Sequence, residues 1–251
     1  MKILFTMCGR AGSKGIKNKN IRSFAGKPLP YYSISAIDLF LKTTELKIDY
    51  DIVVNTDSME LINMMKENPL RKVQVIERKP ELCNDVIGKI EVIRDCYFQM
   101  KERMGKSYDM VVDLDLTSPL RTVTDMENLI KKQRETNADV TTSVTDARRN
   151  PYFNQLKRTE HGFKKVIESD FTARQQAPEV FDMNASLYAY NPEYLLTGKG
   201  VLDGYCECIE MKDTGILDLD HENDFALMEV IAEYLFETDD GYGEVKKNIL
   251  E

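Results

Sequence analysis

The stretch Cys8-Gly9-Arg10-Ala11-Gly12-Ser13-Lys14-Gly15-Ile16-Lys17-Asn18-Lys19-Asn20 directly follows a short apolar run, Ile3-Leu4-Phe5-Thr6-Met7. The run reads as a buried strand. Three glycines at intervals of three let the chain beyond it turn sharply and aim backbone N–H groups at an anion. Arg10, Lys14 and Lys19 add positive charge to the same loop. A strand that feeds a basic, glycine-rich loop suits a polyphosphate. The spacing is neither G-x-x-x-x-G-K-[ST] nor G-x-G-x-x-G, the two commonest phosphate loops. A solvated basic turn after an edge strand is the plain alternative.

Outward from this loop, short β-rich apolar runs alternate with helix-period segments, the pattern of an α/β fold. Strands are predicted over residues 2–7, 51–55, 73–77, 110–114 and 138–144, and helices over 30–43, 59–66, 87–104, 124–136 and 222–237. Thr124, before Asp125-Met126-Glu127, reads as a helix N-cap. The expectation is a mostly parallel, Rossmann-like sheet with helices on both faces. In such a sheet ligands sit beyond the carboxyl ends of the strands. The glycine loop, Asn55-Thr56-Asp57 and residues 113–121 all fall at such ends, so three motifs converge on one edge.

The chain has 251 residues, enough for one large domain over 1–251 with a small insertion. Its 34 basic and 42 acidic residues leave a net charge of -8, which argues against a general nucleic-acid binder. Local loop charge still governs the capture of a nucleotide. No apolar run approaches the ~18–20 residues that span a bilayer, and residues 1–7 are too short for a signal peptide. No membrane partner and a cytoplasmic location are expected. Cys8, Cys83, Cys96, Cys206 and Cys208 are odd in number, which speaks against a disulfide framework. Cys206-Glu207-Cys208 alternates within residues 205–211, so both thiols should share one strand face and act as small buried hydrophobes. With only His161 and His221 there is no zinc-ligand spacing, so any metal should be a hard, oxygen-bound one.

Near Thr145 the pattern changes. Two alternating pieces, residues 154–158 and 163–168, flank Thr159-Glu160-His161-Gly162 and read as a hairpin within an insertion at 146–180. A lone hairpin is marginal in water and needs a surface to pack on. Either a partner subunit or its own domain could supply one. No repeat or linker is visible, and the chain stops soon after its last predicted helix.

Two D-x-D pairs, Asp113-Leu114-Asp115 and Asp218-Leu219-Asp220, are suited to Mg²⁺, or Mn²⁺ in its place. In extended backbone, both carboxylates of a pair lie on one side. For Asp218 and Asp220, helix N-capping is the alternative, and for Asp224 a favourable charge in a first turn.

R-x-G-S-K-G-x-x-x-K-N, matched by Arg10, Gly12, Ser13, Lys14, Gly15, Lys19 and Asn20, resembles the signature loop of the acylneuraminate cytidylyltransferase family, which activates acidic nine-carbon sugars. Gly26-Lys27-Pro28-Leu29 is similar to the family's G-K-P-L, Asn55-Thr56-Asp57-Ser58 to S-T-D-S, and Thr117-Ser118-Pro119-Leu120-Arg121 to T-S-P-L-R. Arg174-Gln175 with Asn184-Ala185-Ser186-Leu187-Tyr188 resembles R-Q…N-G-A-I-Y. The stretch from Asp218 to Phe225 resembles D-I-D-x-x-x-D-F. The matches run in order from residue 3 to about 230. The extra C-terminal domain of some relatives has no counterpart in this sequence.

The resemblance implies Mg²⁺-dependent transfer of CMP from CTP to the anomeric hydroxyl of a sialic, legionaminic or pseudaminic type of sugar, with release of pyrophosphate. The triphosphate would be held by Arg10, Gly12, Ser13, Lys14, Lys19 and Asn20, and cytosine by Arg78 of Arg78-Lys79-Pro80-Glu81-Leu82, where Lys79 is an insertion against the family's R-P-x-x-L. Arg10, Lys14, Lys19 and Asp220 are the implied catalytic residues, Asp218 and Asp220 the implied metal ligands. Asp115 stands where sialate enzymes carry Gln. It would bind a second Mg²⁺, as a comparable aspartate does in the octulosonate enzymes, or accept hydrogen bonds from the sugar. Thr117, Ser118, Arg121, Arg174, Gln175 and Asn184 would line the sugar site, where an Arg fork suits the sugar carboxylate. Lys89, in a segment where sialate enzymes carry Thr and Ser, points to the flagellar or legionaminic-acid branch. The family's insertion crosses to a partner, so a homodimer is implied. Two other readings share these residues: a nucleotide-sugar glycosyltransferase with a D-x-D metal, and a non-catalytic nucleotide sensor. Only the first reading makes pyrophosphate from CTP. On that reading, replacing Lys14 with Ala should cut turnover ~10²-fold or more by removing an oriented electrostatic group. CTP binding should fall less, because Arg10 and backbone groups remain. Wild-type rates in steady-state assays would take Lys14 off the triphosphate.

Overall fold

A computed structural model of the chain describes residues 1–12, 15–84, 86–214, 219 and 221–249. The elements in order are β1 (Lys2–Cys8), β2 (Ser23–Phe24), β3 (Lys27–Pro28), α1 (Leu29–Thr43), β4 (Asp49–Thr56), α2 (Met59–Glu67), β5 (Gln74–Glu77), α3 (Lys89–Met104), β6 (Met110–Leu114), α4 (Val123–Thr136) and β7 (Val140–Asp146). There follow β8 (Leu156–Thr159), β9 (Gly162–Lys165), β10 (Phe181–Tyr190), α5 (Pro192–Leu195), β11 (Cys206–Glu210), α6 (Glu222–Thr238) and α7 (Asp240–Lys247). Seven strands form one sheet in the order β11-β7-β10-β6-β1-β4-β5. The pairs β1–β4, β1–β6, β4–β5 and β7–β11 are parallel, while β10 runs antiparallel between β6 and β7.

Period-2 alternation assigns the two faces. Ile3, Phe5 and Met7 of β1, with Ile52 and Val54 of β4, join α1, α2, α4 and α6 in the larger core. Leu4, Val53 and Val111 face the other way, onto Ile90, Ile93, Cys96 and Met100 of α3 and Tyr194 and Leu195 of α5. Helices therefore cover both faces, as the sequence pattern predicts.

Four differences from the sequence reading have physical causes. The N-cap of α4 is Thr122, not Thr124: its hydroxyl accepts from the Asp125 N–H, and the Asp125 carboxylate accepts from the Thr122 N–H, closing a capping box. Strand β10 was not anticipated. It shifts register between Met183 and Tyr188, and Ala185 there has φ of 52°, so polar, bulged residues hide its period. The left-handed backbone also explains why Asn-Gly is the commoner pair at this point. Helix α7 carries Gly241 and Gly243, which weaken its helix signal. Finally, Cys206 and Cys208 lie on the edge strand β11, where Cys206 is half-buried and Cys208 exposed rather than buried. The hairpin is present as β8–β9, with Glu160-His161 at its tip and Gly162 at φ 96°.

Arg121 ties this frame together behind the edge where the motifs meet. It has no exposed surface. Its Nη2 donates to the carbonyls of Asp115 (2.5 Å) and Ser118 (2.6 Å), Nη1 to Ser33 Oγ of α1 (2.9 Å), and Nε to Ser186 Oγ of β10 (3.3 Å). Burial pushes the guanidinium down to about 10, opposed by the Asp115, Asp113 and Asp125 carboxylates, so it remains charged at neutral pH. The sugar contact expected of Arg121 is thus corrected: it has no surface open to a ligand, and among the described residues these bonds are structural ones. Arg121→Met, which keeps the volume but strands these acceptors, should lower stability by about 3 kcal/mol or more in urea unfolding. Arg121→Lys should not restore it, since one ammonium cannot span four acceptors on three elements. A loss under about 1 kcal/mol would remove Arg121 from this role.

Candidate functional site

The glycine loop begins where β1 ends, and its first turn is set by close approach. A Cβ on Gly9 would stand 2.9 Å from terminal methyls of both Leu116 and Leu61, so a larger residue would have to push two buried side chains aside. Gly12 is different: space is open around it, and its φ of 71° is what calls for glycine. Two side chains then hold the loop, one to the sheet edge and one to itself. Asp57 Oδ1 accepts the Ala11 N–H at 2.7 Å, and Asn20 Nδ2 donates to the Arg10 carbonyl at 3.0 Å. The Gly9 N–H donates to Asn55 O at 3.1 Å. Asp57, read from sequence only as part of a turn, is therefore a brace for the loop.

A cavity of about 420 Å³ opens beside the loop. Arg10, Lys19 and Asn20 line its phosphate-loop side, Arg78 stands at the end of β5, and Asp115 and Thr117 come from the end of β6. Arg78 is aimed by Asn55, whose Oδ1 accepts from Nε at 2.8 Å and whose carbonyl accepts from Nη2 at 3.1 Å. Ser13, Lys14, Asp218 and Asp220, with the metal and catalytic roles expected of them, lie outside the described residues.

The remaining predicted residues divide among three places. Ser118 and Asn184 line a second, smaller cavity with Thr145. Asn184 Oδ1 accepts from the Ser186 N–H there, and from Ser143 Oγ. Arg174 and Gln175 line a third, beside Asp146 and Ala147 at the end of β7, where Arg174 Nη2 donates to the Ala147 carbonyl. Thr117–Ser118 and Thr145–Asp146 are chain neighbours, so the three cavities follow one another along the strand ends. Arg121 lies beneath them.

Lys89, the first residue of α3, is the functional residue whose role sequence reasoning missed. Its Nζ lies 2.7 Å from Asp113 Oδ2 and 2.7 Å from Asp115 Oδ2. The other oxygens are also engaged: Asp113 Oδ1 accepts from Thr6 Oγ1, and Asp115 Oδ1 from the N–H and hydroxyl of Thr117, all at 2.7 Å. Burial alone would push the Asp115 carboxyl up, but the Lys89 ammonium and the two Thr117 donors outweigh it and hold it at about 2. Burial likewise works against the Lys89 ammonium, and the Asp113 and Asp115 carboxylates raise it well above its ordinary value. A second Mg²⁺ on Asp115 does not fit this donor set, because an ammonium already stands against the carboxylate. The sequence signal was present in the spacing: a lysine at a helix start, where the helix dipole disfavours a cation, needs nearby carboxylates.

The arrangement pairs a basic, phosphate-sized loop with an ionised acceptor at the facing strand end. A cytidylyltransferase family model matches residues 7–201. The CMP-N,N'-diacetyllegionaminic acid synthase of Campylobacter jejuni is 33% identical over 92% of this chain and 94% of its own length. The post-translational flagellin modification protein B of Campylobacter coli is 32% identical over the same shares. The solved structure of a CMP:2-keto-3-deoxy-manno-octonic acid synthetase complexed with CTP superposes with a TM-score of 0.66, covering 94% of this chain and 100% of that one, and at 16% identity it speaks to the fold. A basic glycine loop braced onto a mostly parallel sheet, in a sequence matched over most of its length, makes this chain a nucleotidyltransferase of the cytidylyltransferase family.

Proposed function

We propose that the chain transfers CMP from CTP to the anomeric hydroxyl of an acidic nonulosonic sugar, of the legionaminic type before the sialic or pseudaminic. The hydroxyl oxygen gives up its proton to water and bonds to the α-phosphorus, the bond from that phosphorus to the oxygen bridging the α- and β-phosphates breaks, and pyrophosphate leaves. The carrying observation is the cavity that sets Arg10, Lys19 and Arg78 against Asp115 and Thr117. The two relatives above, one named for its CMP-legionaminic acid product and one for flagellin modification, support the choice of sugar.

The roles follow from charge and place. Arg10, Lys14 and Lys19, with Gly12, Ser13 and Asn20, would hold the β- and γ-phosphates, and Arg78 the cytosine. Asp115 would accept a hydrogen bond from the sugar, and Thr117, Ser118, Asn184, Arg174 and Gln175 would contact it along the row of cavities. Asp218 and Asp220 are the proposed Mg²⁺ ligands. The ion would neutralise charge developing on the phosphate oxygens. Release of pyrophosphate from CTP separates this reading from a glycosyltransferase. CTP, Mg²⁺ and a panel of acidic sugars should yield pyrophosphate with a legionaminic-type acceptor, and excess chelator should stop it. No pyrophosphate with any acidic sugar, or full turnover in chelator, would overturn the reading.

We further propose one domain over residues 1–251, with 146–180 as an inserted dimerisation hairpin, in a cytoplasmic homodimer. Leu156 and Phe163, on the paired strands β8 and β9, are 61% and 60% exposed, and Val166, Ile167, Phe181 and Met183 are also exposed nearby in the chain. So much open apolar surface on a hairpin suits a symmetric partner. Sedimentation at micromolar concentration should show a dimer, and Phe163→Asp should shift it to monomer. A folded, active wild-type monomer would rule the dimer out.

A further inference from the structure

Lys89 enters the resemblance only as a marker of its branch, with no role attached, yet it stands between two carboxylates beside the cavity. Three of the four oxygens of Asp113 and Asp115 accept hydrogen bonds, and the fourth, Asp113 Oδ2, is met only by the Lys89 ammonium as an ion pair, with no aligned hydrogen bond. Asp113 has no exposed surface, whereas the Lys89 side chain keeps 29% of its own, on the cavity. Two further features hold the ammonium and its partner in place. Its Nζ faces the Tyr188 ring at 5.9 Å, and the turn that bears Asp115, just beyond β6, is braced from behind by Arg121.

From this geometry we infer that Lys89 is a tethered cation in the place a second divalent ion would take between Asp113 and Asp115. It acts as a positioning residue that presents Asp115 to the acceptor sugar, so that this chain needs one divalent ion fewer than a two-ion enzyme. The part of this inference that concerns the sugar rests on the function proposed above. A divalent ion bound to one oxygen of each carboxylate would stand about 2.0–2.2 Å from both. The ammonium, at 2.7 Å from the same two oxygens, occupies that volume. The consequence is exclusion: ammonium and ion cannot share the carboxylates, and covalent attachment keeps the ammonium at high local concentration whatever the ion level.

The test counts Mn²⁺ per chain by electron paramagnetic resonance, without CTP or sugar, so failure of the proposed activity would not affect it. Lys89→Gln removes the charge at similar length, and should bind one Mn²⁺ more than the wild type. Lys89→Gln combined with Asp115→Asn should return to the wild-type count. Asp115→Asn alone should leave that count unchanged, because Lys89 already excludes an ion there. A merely structural lysine would not alter the number of ions. Equal counts in the wild type and a folded Lys89→Gln protein would overturn the inference. So would a wild-type count that falls by one on Asp115→Asn alone, an arm that stands even if Lys89→Gln does not fold.

Discussion

One buried guanidinium holds the turn that brings Asp115 and Thr117 to the cavity wall. Arg121 reaches α1 through Ser33, β10 through Ser186, and the turn after β6 through two carbonyls. A charged group without exposed surface costs several kcal/mol to desolvate and persists only where its donors are met. Four acceptors in fixed directions meet that condition, and in doing so they hold the Asp115–Ser118 turn against two other elements. A rigid turn is what a site needs when its chemistry depends on placing an oxygen within a fraction of an ångström.

On that turn the charges are arranged by competition rather than by simple attraction. Asp113 and Asp115 lie on one side of β6 and its extension, and one ammonium bridges them. Against burial, Lys89 and the Thr117 donors hold the Asp115 carboxyl in its ionised form. The opposite wall is basic. On the proposed function, a polyanion would be drawn to Arg10, Lys19 and Arg78, and a hydroxyl-bearing partner would meet an acceptor across the same cavity. Such a division suits a reaction that joins a triphosphate to a sugar.

Much of this was legible before any coordinates. The five predicted sheet strands and five long helices appear within a few residues of their expected bounds, because buried parallel strands and amphipathic helices leave strong periodic patterns. The meeting of the glycine loop, Asp57 and the Asp113–Arg121 segment at one edge followed from the parallel order alone. What escaped was bulged, capped or short. β10 lost its period at Ala185, the α4 cap moved by two residues to the hydroxyl that could close a reciprocal pair, and α7 was obscured by two glycines.

The site divides along the same line. Sequence by itself determined the family, the α/β class and the place of the basic glycine loop at a strand end, because a loop set by glycine conformations and fixed charges is written locally, in consecutive residues. Only the tertiary structure decided what Arg121, Asp115 and Lys89 do. Arg121 looks like a ligand-binding arginine in sequence and proves to be a brace; Asp115 looks like a metal ligand and holds an ammonium. Lys89 is separated by 24 and 26 residues from Asp113 and Asp115, and their contact exists only because α3 packs across β1 and starts beside the end of β6. The charge state of a buried cluster depends on such distances and on shared burial, neither of which a linear order of residues contains.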